Sequence, residues 1–162
     1  MPLEPAELAD LIDRHASALR LWAGGRCDSP EDVVQEAFCR LAALEPPPRR
    51  AAAWLYTAVR NLAVSHVRAD VQRRRRERQT SAAQGHEPDP AAGLMNDELV
   101  REVERLDDPL REVLVAPIWG DLTLEEIASL CGISTATAFR RYEAALEQIR
   151  KQMGVKCLNR IE

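Results

Sequence analysis

The chain has 162 residues, 46% of them apolar and 30% charged, with a formal net charge of -4, the balance of a folding globular protein of one mid-sized domain or two small ones. No apolar run approaches the roughly 20 residues of a bilayer span, and the opening MPLEPAELADLIDRH lacks the basic-then-apolar layout of a signal peptide, so no membrane insertion and a cytoplasmic location are expected. Aromatic residues are few while Ala, Leu, Arg and Glu abound, and no window alternates as a half-buried strand does, so the expected fold class is all-α.

In chain order, Leu8, Leu11, Ile12, His15, Leu19 and Trp22 recur at helical spacing and predict a first amphipathic helix that ends near Gly24 and Gly25. Ser29, Pro30, Glu31 and Asp32 then supply an N-cap, a proline for the first helical position and acids suited to the positive end of the helix dipole. Val33, Val34, Ala37, Phe38 and Leu41 form the apolar stripe of this second helix, and the prolines from Pro46 to Pro48 stop it. A third helix is predicted from about Arg50 through the arginine run, with Trp54, Leu55, Ala58, Leu62 and Val67 on its apolar side.

Residues 60 to 78 hold seven arginines and two acids, whereas residues 79 to 108 hold eight acids and two bases. The acidic total therefore conceals a basic stripe beside an acidic one, and the pattern bears on function more than the sum does. Four arginines in a row also suit a solvated helix C-terminus, where the dipole favours positive charge. The stretch 79–93, QTSAAQGHEPDPAAG, is polar, contains Gly and Pro and offers no core face, so it is expected to be a flexible linker between two small helical domains, 1–78 and 94–162.

The second domain is predicted to hold a helix from about Leu94 to Leu106, a break at Asp107-Asp108-Pro109 and a helix to about Trp119, in which Pro117 predicts a kink or an early end. Thr123 and Glu126 form a capping box that starts the next helix, with Ile127, Ala128 and Leu130 facing inward, and Gly132 supplies a turn. Ser134 caps a long last helix with Ala138, Tyr142, Ala145 and Ile149 on one face. A short helix, a Gly-containing turn and a longer helix make a helix-turn-helix, which can read a DNA major groove or be a hairpin within a bundle. Exposed residues at the start of its second helix would meet base edges: arginine grips a guanine edge or a phosphate, threonine bonds either, and a phenyl ring presses on a thymine methyl. The cysteines show no CxxC pair and the three histidines no ligand spacing, so no metal, cofactor or catalytic constellation is expected.

Taken in order, SPEDVVQEAFCRLAAL, AAAWLYTAVRNLAVSHVR, the arginine run, LDDPLREVLV and LTLEEIASLCGISTATAFRRYEAALEQIR resemble the extracytoplasmic-function (ECF) sigma factors of bacterial RNA polymerase over nearly the whole chain. The resemblance implies a non-enzymatic initiation factor with a region 2-like domain at 1–78 and a region 4-like domain at 94–162. Core RNA polymerase would be its partner, through the clamp coiled coil of the largest subunit and the flap of the second-largest, together with promoter DNA and a candidate anti-sigma factor. Asp32, Val33, Gln35, Glu36 and Arg40 would dock on the clamp. Trp54, Tyr56, Arg60, Asn61, His66, Arg68, Arg73 and Arg74 would meet the minus-ten element, with Asn61 holding a flipped base through its amide. Ser134, Thr135, Ala136, Thr137, Phe139, Arg140 and Arg141 would meet the minus-thirty-five element. Phe139 stands where the family usually has Lys or Arg, and Arg140 where it usually has a small residue. The chain ends soon after the last helix, which is expected to leave no room for an appended sensory domain.

Overall fold

The computed structural model describes residues 1–76 and 97–154, and all regular structure among them is helical. The elements are α1 (Pro5–Gly24), α2 (Pro30–Ala42), α3 (Ala51–Arg76), α4 (Asp97–Arg105), α5 (Asp108–Trp119), α6 (Leu124–Cys131) and α7 (Thr135–Met153). The expected linker 79–93, the expected start of the fourth helix at Leu94 and the last eight residues lie outside the described residues.

Local chemistry accounts for the boundaries. Helix α1 opens with Pro5 in its first turn, and the Glu4 backbone N–H donates to Glu7 Oε2 at 3.3 Å; α2 opens at Pro30 behind Ser29, with Glu31 and Asp32 in its first turn. The capping box of α6 closes in both directions, as the Thr123 N–H donates to Glu126 Oε2 at 2.8 Å and the Glu126 N–H to Thr123 Oγ1 at 3.2 Å. Gly132 then takes φ of 68°, a left-handed turn that only glycine adopts cheaply, and Ser134 Oγ accepts from the Thr137 N–H at 3.1 Å to start α7. Helix α5 runs through Pro117 to Trp119 rather than stopping early. Proline there removes a single helical N–H one turn from the end, and the Gly120 N–H still reaches the Ala116 carbonyl at 2.9 Å.

Helices α1, α2 and α3 pack on one another around Leu19, Trp22, Val33, Leu41, Leu55, Tyr56 and Val59, all essentially without exposed surface. Helices α4 to α7 enclose Val103, Leu106, Val113, Leu114, Ile127, Ala138 and Ala145. Val67, expected in the core of the first unit, is 40% exposed; it lines an open pocket with Asp70, Val71 and Arg74 against the turn from Gly24 to Asp28. Arg111 ties α4 to α5: its guanidinium donates to the carbonyls of Val103, Glu104 and Leu106 at 3.2, 2.6 and 2.9 Å, which satisfies the open C-terminus of α4 and neutralises the negative end of its dipole.

The two units share one core, with α5 and α4 against α1. Gly120 lies so close to the Tyr56 ring that a Cβ there would sit 2.6 Å from Tyr56 Cε2, so a side chain would push the units apart. Polar contacts join them too. Arg26 and Glu112 form an ion pair with little exposure of either side chain, Arg60 Nε lies 3.6 Å from Glu112 Oε1, and Arg50 pairs with Glu126 while donating to the Asp121 carbonyl at 2.6 Å.

Candidate nucleic-acid interface

Three surfaces carry the functional candidates. The first is the outward side of α2. Because α2 buries Val33, Val34, Ala37, Phe38 and Leu41, helical periodicity turns Asp32, Gln35, Glu36 and Arg40 away from the core. Glu36 and Arg40 are joined at 2.6 Å, one turn apart. Val33, expected in the docking set, is a correction: it has no exposed surface, since it falls on the apolar stripe one residue before Val34.

The second surface is a groove of about 470 Å³ between α2 and α3, lined by Glu36 and Arg40 from one helix and by Trp54, Asn61, Ser65 and His66 among others from the other. Residues 54, 57, 58, 61 and 65 follow one another at three- and four-residue steps and so form a single stripe. Trp54 is half-buried against the core and supplies an aromatic wall, while Asn61 is exposed and free to offer both amide donor and acceptor to an entering group. His66 Nε2 lies 3.3 Å from Glu36 Oε2. The Glu36 carboxyl is held below its ordinary range by hydrogen bonds from Arg40 and His66, so it stays anionic and fixes both neighbours at the groove's rim. Thr57 and Ser65 were not among the residues expected here. The spacing from Trp54 and Asn61 is the signal that would have found them.

Two residues expected in this set lie elsewhere. Tyr56 is fully buried with its ring edge-on to Trp22, centroids 5.5 Å apart, and its carbonyl accepts from Trp22 Nε1 at 3.0 Å; burial pushes its phenol well above the ordinary range. Arg60 is turned to Glu112 of α5, because a single residue step rotates it about 100° from Asn61 around α3. Arg68, Arg73 and Arg74 are exposed beyond the groove, where Arg73 and Arg74 pair at 2.5 Å with Asp70 and Asp28.

The third surface is the beginning of α7. Ala138, Ala145 and Ile149 face the core, which leaves Thr135, Ala136, Phe139 and Arg140 exposed together, with Glu143 beyond them. Ser134 is the cap, Thr137 is half-buried beside it, Arg140 Nη2 donates to Thr137 Oγ1 at 3.3 Å, and Arg141 lies half-buried at the flank. A capped helix that offers a short polar and apolar face at its N-terminus, braced by α6 across a glycine turn, has the build of a DNA-reading helix. Among the described residues no group of His, Cys, Asp and Glu could hold a metal ion, and no helix is long and apolar enough to cross a membrane.

Comparisons with known proteins agree with this layout. Residues 11–75, which span α1 to α3, match the family model for Sigma-70 region 2. The chain is 30% identical to the ECF RNA polymerase sigma factor EcfG of Rhodopseudomonas palustris (strain TIE-1), over 92% of this chain and 86% of that protein. It is 27% identical to the ECF RNA polymerase sigma factor RpoE of Cereibacter sphaeroides, over 76% of this chain and 69% of that one. In fold it is similar to the sigma factor RpoE of Bartonella quintana, solved in complex with the anti-sigma factor NepR, with a TM-score of 0.63 at 19% identity over 95% of this chain and 99% of that one. With the groove inside the region 2 match and a curated relative aligned along most of both chains, the chain belongs to the ECF family of RNA polymerase sigma factors.

Proposed function

We propose that the protein binds core RNA polymerase through the outer side of α2, captures the melted minus-ten strand in the groove between α2 and α3, and reads the minus-thirty-five element with the start of α7. The observation that carries this reading is the groove itself: Asn61 and Trp54 stand beside Glu36 and Arg40, so docking and strand capture would share one wall. On this reading residues 1–78 act as the region 2-like domain, 79–93 as the linker and 94–162 as the region 4-like domain. The chain is then not an enzyme, as RNA synthesis belongs to core polymerase and strand opening is driven by trapping an unstacked base. An anti-sigma factor, as in the complex of the Bartonella quintana relative, is a further partner.

This also accounts for how an acidic protein engages a polyanion. The polymerase carries the factor to DNA and supplies part of the backbone contact, and linkage of the two units raises the effective concentration of each at its own element. Arginines past the groove add salt-dependent affinity where the strands separate. Run-off transcription from a genomic fragment library, with purified core polymerase and with or without this protein, tests the reading. New, protein-dependent start sites that share an upstream and a downstream element are expected. Tight binding to a palindrome without polymerase, and no new start sites, would overturn it in favour of a stand-alone helix-turn-helix regulator.

A further inference from the structure

Phe139 is 50% exposed, and no other large apolar side chain of α7 is left as open. It does not belong to the core stripe of its own helix, which runs through Ala138, Ala145 and Ile149. Helical geometry sets it beside Ala136 and Thr135, three and four residues earlier, so the exposed face joins a phenyl ring to a methyl group and a threonine. Arg140 flanks this patch, with one guanidinium nitrogen on Thr137 Oγ1. An exposed aromatic ring between a hydroxyl and a guanidinium is a poor hydrogen-bonding surface and a good apolar one.

We propose that Phe139, with Ala136 beside it, is a specificity-determining residue that selects thymine in the upstream promoter element by packing against its C5-methyl group. Among the base edges that face a major groove, thymine alone presents an apolar substituent; cytosine has only a hydrogen at C5 and an amino donor where thymine has its O4 acceptor, so the ring would lose the methyl contact and lie beside a polar group. The adjacent Arg140 is then free to grip a neighbouring guanine edge or a phosphate and fix the register. This rests on the placement of α7 in the major groove proposed above, and it goes further by naming the group that is read.

The test uses holoenzyme assembled from the full chain and core polymerase, on a promoter selected from the fragment library. Each thymine of the upstream element is replaced in turn by deoxyuridine, which deletes the methyl and keeps every hydrogen-bonding group, and each cytosine by 5-methylcytosine. At one position the deoxyuridine template should bind wild-type holoenzyme about threefold to fivefold more weakly, the worth of one buried methyl group. Phe139→Ala should bind the thymine and deoxyuridine templates equally, and Phe139→Leu should retain part of the preference. Upstream protection with no deoxyuridine effect at any position would overturn the methyl assignment alone. Loss of upstream protection by wild-type holoenzyme would overturn the placement of α7 and this inference with it. A Phe139→Ala variant that binds core polymerase poorly in the absence of DNA, with methyl-independent promoter binding, would reassign the ring to a protein contact and also overturn the proposal.

Discussion

Asn61 and His15 are the residues at which single-atom chemistry has the clearest consequence. Asn61 is exposed on the groove, so its loss should leave the fold intact. If its amide holds a base that has left the stack, Asn61→Ala removes bonds made only after melting, and closed-complex formation should be spared while opening is impaired. Permanganate reactivity of bubble thymines on duplex and pre-melted templates measures this, and equal reactivity of variant and wild type on duplex DNA would make Asn61 an ordinary surface residue. His15 lies where α1 meets the end of α5: its Nδ1 is buried without a hydrogen-bond partner, and burial lowers its pKa below the ordinary 6.5, only partly offset by the nearby Trp119 backbone. For a base depressed in the folded state, the unfolded chain binds more protons as pH falls through 6.5, so stability drops there and levels off below the folded pKa. The urea midpoint should therefore fall between pH 7.5 and 5.5, and the fall should be smaller in His15→Gln. An identical pH profile for that variant would remove His15 from the account.

At the scale of elements, α2 and α7 each turn one face inward and one outward, and the outward faces allow separate tests. Gln35→Ala combined with Glu36→Arg reverses charge on the outer side of α2 without touching its buried stripe. A pull-down should show weakened capture of core polymerase while the helical circular-dichroism signal is kept; unchanged capture would move docking elsewhere. The start of α7 depends on a single cap, Ser134 Oγ to the Thr137 N–H. Ser134→Ala should cost about 1 kcal/mol in denaturant unfolding, and because the cap also orients the face that carries Phe139, upstream protection should weaken with it. A stability loss with undiminished protection would separate capping from reading. The last turns of α3 leave Val67 and the arginines that follow outside the core, with Arg73 and Arg74 in exposed ion pairs with Asp70 and Asp28.

For the whole molecule, the shared core and the ion pairs across it set what must change during function. The two promoter elements are centred about 25 base pairs apart, or about 85 Å at 3.4 Å per pair, whereas a compact chain of this length has a radius of gyration of about 15 Å. On the proposed reading the units therefore separate in the promoter complex, and distance measurements between labels on the outer faces of α2 and α7 should lengthen greatly when holoenzyme binds promoter. The contacts to be broken are unequal. Arg26 and Glu112 are largely buried and Arg26 also stacks over Trp22 at 5.4 Å, so Glu112→Ala should cost about 3 kcal/mol by leaving a buried guanidinium unpaired. Arg50 and Glu126 are open to water, and Arg50→Ala, which breaks that pair without touching the α6 capping box, should matter far less to how the units hold together. Comparable losses from the two variants in denaturant unfolding would contradict this ranking.

Helix class, the caps at Thr123 and Ser134 and the inward stripes were legible in the order of residues, because Thr123, Gly132 and Ser134 act over three or four positions and an amphipathic period needs no distant partner, whereas Ser29 precedes α2 without a side-chain cap. The α7 face was readable for the same reason, lying opposite a stripe that could be counted, whereas Asn61 was singled out only by the family resemblance. What only the tertiary structure decided are the contacts between residues far apart in the chain. Tyr56 is a core residue because Trp22 and Gly120 close over it, Arg60 turns from the groove because Glu112 is within reach, and Arg50 meets α6 because α5 lies on α1. Packing of one helical unit on another depends on the shapes and charges of two surfaces at once, and no local period encodes which surfaces will meet.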